Sequence, residues 1–108
     1  MALFLNQFSY TPEAWAAMLR KPEDRSGVLK ALVEKNGGKL LCLYYSFGEH
    51  DGFTITEYPD SASAMATVLA VYSAGHLRAV KTTEIFTTAE AVQAMKKGGS
   101  VTFQGPKG

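Results

Sequence analysis

The sequence predicts an α+β fold: one four-stranded antiparallel sheet, helices on a single face, and an extra helix at the C-terminus. Three observations carry this. Segments of period two alternate with segments of period 3.6, in the order strand, helix, strand, strand, helix, strand, helix. Helix starts are marked by Thr11-Pro12-Glu13, by Pro59-Asp60-Ser61 and by Thr87 with Glu90, and helix stops by Asn36-Gly37-Gly38, Ala74-Gly75 and Gly98-Gly99. The 108 residues, 46% of them hydrophobic and 19% charged, suit one domain with a modest core.

The first strand covers residues 2–9, with Phe4, Phe8 and Tyr10 on one face and Leu3 and Leu5 on the other. Thr11 is placed to cap the first helix and Pro12 to occupy its first turn. Trp15, Met18 and Leu19 form its apolar stripe, and Pro22 stops or kinks it. A second helical piece, residues 24–35, carries Val28, Leu29, Leu32 and Val33 at helical spacing. Strands at 39–47 and 52–58 flank the turn Gly48-Glu49-His50-Asp51, where Asp51-Gly52 reads as a turn pair tolerant of positive φ. The next helix presents Met65, Val68, Leu69 and Tyr72 as its apolar side, and its alanines allow close packing. Residues 76–86 form the fourth strand, rich in β-formers such as Val80, Thr82, Thr83 and Ile85. The domain is placed at residues 1–97 and a tail at 98–108, where Val101-Thr102-Phe103 is either a short edge strand or loose chain. The order β-α-β-β-α-β is the ferredoxin-like pattern, and right-handed crossovers give the spatial strand order four, one, three, two.

That arrangement leaves one sheet face bare. The second strand is nevertheless apolar on both sides. Leu41, Leu43, Tyr45 and Phe47 alternate with Leu40, Cys42 and Tyr44, and Phe53 and Ile55 follow on the third strand. A half-solvated antiparallel strand alternates apolar with polar instead. An apolar patch of several hundred Å² is seldom left open on a soluble monomer. The expectation is a homodimer or higher homo-oligomer through the open face, a dimeric α/β barrel.

Gly37-Gly38-Lys39, the aromatic-rich strand, the run Phe47-Gly48-Glu49-His50-Asp51 and the apolar strand ending near Glu57 resemble the GYD-domain family. So does the later run Ser73-Ala74-Gly75-His76-Leu77-Arg78 with Thr82 to Thr88 and Glu90. At the turn that gives the family its name, His50 stands in the place of the usual tyrosine, so no role of a phenol there carries over. The resemblance implies a small bacterial or archaeal protein with a ferredoxin-like fold and dimeric-barrel relatives. It supplies no reaction.

Net charge is +1 and no Lys/Arg stripe appears, so nucleic acid is not an expected partner. No apolar run reaches the ~20 residues of a membrane span, and the N-terminus lacks the pattern of a signal peptide. A cytoplasmic protein is the expectation. The single cysteine, Cys42, excludes a disulfide framework within the chain and reads as a packed hydrophobe. The two histidines and Asp51 show no metal-ligand spacing, and no phosphate loop is present, so neither metal nor cofactor is expected.

The topology gathers the end of strand one, the central turn and the start of strand four on one edge. His50, Asp51 and His76 are there as candidate catalytic residues: a histidine general base, which suits neutral pH, oriented by the aspartate. Tyr10, Trp15, Tyr45 and Arg78 are candidate ligand-binding residues, the aromatics lining a pocket between sheet and helices and the guanidinium suited to a carboxylate. Three functions follow. The leading one is binding of a small aromatic or apolar ligand in a regulatory or stress-related role. The others are a cofactor-free isomerase, cyclase or monooxygenase, and a purely structural assembly module.

Overall fold

The structure, a computed structural model, describes residues 1–107. Its elements in chain order are β1 (Ala2–Tyr10), α1 (Pro12–Arg20), α2 (Ser26–Lys35), β2 (Lys39–Tyr45), β3 (Gly52–Tyr58), α3 (Ser61–Ser73), β4 (Leu77–Ile85) and α4 (Thr88–Gly99). The strands form one antiparallel sheet in the order β2-β3-β1-β4, as the crossover rule requires.

The helix starts follow from the residues named above. Thr11 Oγ1 accepts from Ala14 N–H, Asp60 Oδ1 from Ser63 N–H, and Thr87 and Glu90 form a complete capping box. Gly37 and Gly75 end α2 and α3 with φ of 79° and 85°, the left-handed conformation that glycine adopts freely. The core lies on the helix face of the sheet, where Phe4, Val33, Tyr58 and Ala64 are buried and Leu29 and Leu40 pack against them.

Four expectations need correction. Strand β2 ends at Tyr45, and Phe47 stands fully exposed in the loop beyond it. The register of β2 against β3 shifts between Leu40, opposite Thr56, and Cys42, opposite Ile55. This bulge takes up Leu41 and puts Leu40 on the helix face, not beside Cys42 and Tyr44. Part of the strand's two-faced pattern is therefore a change of phase. Helix α3 splits its apolar residues: Val68 turns inward, whereas Met65, Leu69 and Tyr72 lie on the outside. Similarly, α1 buries Ala14 and leaves Leu19 exposed. Of the two readings of the tail, loose chain is the one found: residues 101–103 form no strand.

The open sheet face carries half-buried Leu3, Leu5, Phe53 and Ile55 in its centre. Leu5 lies opposite Ile55, and the Tyr44 and Phe53 rings sit 5.7 Å apart.

Candidate functional site

A cavity of about 260 Å³ lies between the sheet and helices α2 and α3. Its walls are mainly apolar, from Leu29, Leu32, Val68, Val71, Leu77 and Val80. Its floor is polar. Asn6, at the centre of β1, donates from Nδ2 to Thr54 Oγ1 and to Thr56 Oγ1, both at 3.0 Å, and its Oδ1 accepts from Thr82 Oγ1 at 3.0 Å. The strand pairing dictates this cluster, because Asn6 stands opposite Thr54 on β3 and opposite Thr82 on β4. Thr54 and Thr56 are almost fully buried.

A second cavity of about 250 Å³ lies under α1, against Ala14, Ala17 and Met18. Tyr10, Arg25 and His76 line both cavities. Arg25 is held by Glu23 at 2.8 Å. The backbone of His76 accepts from Thr11 N–H at 3.0 Å.

Beside them is an aromatic cluster organised by Asp51. Its Oδ2 accepts from the Tyr10 backbone N–H at 2.8 Å and from Trp15 Nε1 at 3.1 Å. The Tyr10 ring lies edge-on to Phe8 and Trp15, with centroids 5.3 and 5.1 Å apart, and the Tyr10 and Tyr45 hydroxyls are 3.2 Å apart. One carboxylate thus joins the end of β1, helix α1 and the start of β3. Neither Gly48 nor Gly52 has a positive φ, which corrects the turn-pair reading. Gly52 is required because an added Cβ would meet the Phe8 ring at 2.5 Å and the Tyr44 carbonyl oxygen at 2.8 Å.

The candidate catalytic residues do not form the expected group. Asp51 is engaged with Tyr10 and Trp15, and no hydrogen bond joins it to His50 or His76 among the described residues. His50 is fixed through its backbone carbonyl, which accepts from Ser46 Oγ at 2.7 Å. Its Nδ1 is buried without a partner among those residues. His76 is exposed at the cavity wall. Arg78 is exposed at a register shift of β4 against β1 and lines neither cavity. Of the four candidate binding residues, only Tyr10 lines a cavity, while Trp15 and Tyr45 back it from the side. Sequence reasoning missed the Asn6 floor and Arg25. The signal for the floor was present: a polar Asn6 between Phe4 and Phe8, and Thr54 and Thr56 alternating with Phe53 and Ile55.

Burial, with the Tyr45 hydroxyl as a second cause, holds the Tyr10 phenol well above its ordinary 10.0. The folded protein therefore keeps this proton where the unfolded chain gives it up. The contribution of Tyr10 is complete below pH ~10 and declines as pH rises further. Urea unfolding from pH 8 to 11 is expected to lose stability above pH ~10 more steeply in the wild type than in Tyr10→Phe.

Residues 4–95 match the model of the GYD domain. The chain belongs to the GYD-domain family. No curated protein matches this GYD domain in sequence. A crystal structure described as MtbAldR is similar to it with a TM-score of 0.56 and 12% identity over 80% of this chain and 52% of that one, so the domain spans about half of that chain. That likeness is one of fold. The crystal structure of PA3566 from Pseudomonas aeruginosa covers 80% of this chain and 92% of its own at 18% identity, with a TM-score of 0.46. No group of three or more potential metal ligands occurs among the described residues. No helix among them is long and apolar enough to cross a membrane.

Proposed function

We propose that this GYD domain binds a small, mainly apolar ligand in the cavity between the sheet and α2/α3, and acts as a regulatory or stress-related module. The supporting observation is the cavity itself: about 260 Å³ of space with apolar walls and the Asn6–Thr54–Thr56 floor. The recess leaves apolar surface against water, and a ligand that covers it gains the hydrophobic contribution. An apolar cavity of ~150 Å³ takes a benzene-sized guest, and drug-sized ligands need ~300 Å³ or more. A monocyclic aromatic compound with one polar group therefore fits, its ring against the leucines and valines and its polar atom on the floor. His76 at the wall favours a second reading, a cofactor-free reaction with His76 as base. In that reading Asp51 organises the aromatic cluster and does not orient the base.

Thermal unfolding with p-cresol as probe tests the binding reading. Ligand at tenfold its Kd adds about 1.4 kcal/mol, which raises Tm by about 5–10 °C. Val68→Phe, which fills the cavity, is expected to remove the shift. Equal shifts in both proteins would place the ligand elsewhere.

The second part of the proposal is assembly. Two copies meet through their open sheet faces, with Leu5, Phe53 and Ile55 at the centre. The support is the apolar centre of that face, where Leu3, Leu5, Phe53 and Ile55 keep part of their surface exposed.

A further inference from the structure

The cavity over Asn6 has two unlike ends. Thr54 and Thr56, in its floor, are 4% and 3% exposed and carry no charge. Arg25 and His76, in the wall shared with the second cavity, reach water: the Arg25 side chain is 40% exposed, and His76 is exposed. Among the lining residues Arg25 alone carries a fixed charge, and no aspartate or glutamate lines this cavity among the described residues. Its partner Glu23 lines only the second cavity, where Lys21 adds another cation. Asp51 lines neither cavity and is engaged with Tyr10 and Trp15. The ion pair with Glu23 uses Arg25 Nη1, at 2.8 Å. Nε and Nη2 make no hydrogen bond among the described residues, and a guanidinium has five N–H donors to give. Arg25 also acts on the Tyr10 phenol: burial is the main cause that holds its pKa high, and the guanidinium pulls against it.

We propose that the ligand of this cavity is an aromatic carboxylate, with its ring among the leucines and valines and its carboxylate on Arg25, in the wall between the two cavities. This names the ligand class of the binding reading above and rests on it. A neutral, apolar recess with a cation at its outer end complements a molecule that is apolar at one end and anionic at the other. A carboxylate matches the planar guanidinium, whose Nε–Nη2 edge can hold both oxygens while Nη1 stays with Glu23. One negative charge balances the one fixed cation of the lining. The pair forms at the half-exposed end, so neither charge is taken fully out of water, and the desolvation cost that offsets buried ion pairs is small. A benzene-sized guest takes ~150 Å³, so a cavity of about 260 Å³ has room for a short chain between ring and carboxylate. An aromatic amine would bring a like charge to Arg25 and is selected against.

Isothermal titration calorimetry with three phenols tests this. p-Hydroxyhydrocinnamate, p-ethylphenol and tyramine share a ring, a hydroxyl and a two-carbon chain, and end in a carboxylate, nothing and an ammonium. The acid is expected to bind at least about tenfold more tightly than p-ethylphenol, and tyramine more weakly than either. Val68→Phe is expected to abolish binding of the acid. Arg25→Gln is expected to reduce the preference for the acid over p-ethylphenol to about threefold or less, and continued binding of p-ethylphenol shows that the cavity is intact. Equal affinities for the three, or a preference for the amine, would overturn the carboxylate and leave the apolar binding reading standing. A preference for the acid that survives Arg25→Gln, or acid binding that survives Val68→Phe, would likewise overturn it, because the anion would then be held elsewhere. No binding of any of the three would overturn both readings.

Discussion

Asn6→Ala is expected to destabilise the domain by about 3 kcal/mol, lowering Tm by roughly 15 °C. Asn6 makes three side-chain hydrogen bonds, tying β1 to β3 through Thr54 and Thr56 and to β4 through Thr82. Truncation removes all three and leaves two deeply buried threonines short of a partner. Each stranded buried group costs about 1–3 kcal/mol. Removing both sides of the interaction is cheaper, because nothing is then left unsatisfied. The triple variant Asn6→Leu/Thr54→Val/Thr56→Val is therefore expected to recover most of the loss, at the expense of binding ligands that carry a polar group. Urea unfolding measures both variants. A loss below 1 kcal/mol for Asn6→Ala would mean that water replaces the amide at no cost and that the floor is not a structural unit.

Ile55→Lys carries the largest effect on assembly. Ile55 stands in the middle of the open face, opposite Leu5 and Cys42, and points away from the helices. In a monomer the ammonium reaches water and the fold is kept. In the proposed dimer, two lysines near the two-fold axis are taken out of water and repel each other. A penalty of at least about 3 kcal/mol corresponds to a dimer Kd raised more than 100-fold. Sedimentation velocity of wild type and variant reads this directly. A variant as dimeric as the wild type would show that the open face is not the interface.

Much of the fold was legible in the sequence, because its signals are local. The caps at Thr11, Asp60 and Thr87, the left-handed glycines 37 and 75, and the strand order all follow from short-range chemistry and the crossover rule. The errors arose where a local pattern has two spatial solutions. Alternation along β2 cannot reveal the bulge at Leu41, which changes the phase of Leu40. An all-round apolar helix such as α3 does not say which of Val68 and Leu69 faces in. The site was legible in part. Tyr10, Trp15, Tyr45 and Asp51 do come together in one cluster beside the Asp51 carboxylate, but of the four only Tyr10 lines a cavity. Asp51 and Gly52 were read from turn statistics, whereas their reasons are two hydrogen bonds and the space needed by the Phe8 ring. Arg25 was missed because nothing local marks a loop arginine as part of a cavity wall.

The central claim, that the cavity over Asn6 is a binding site, is tested most directly by methyl NMR during a p-cresol titration. The methyl signals of Leu29, Leu32, Val68 and Val71 are expected to shift together and saturate, while those of Leu3 and Leu5 on the open face stay in place. Val68→Phe is expected to abolish the shifts. Movement confined to the open-face methyls, or no saturable shift at millimolar p-cresol, would contradict the account.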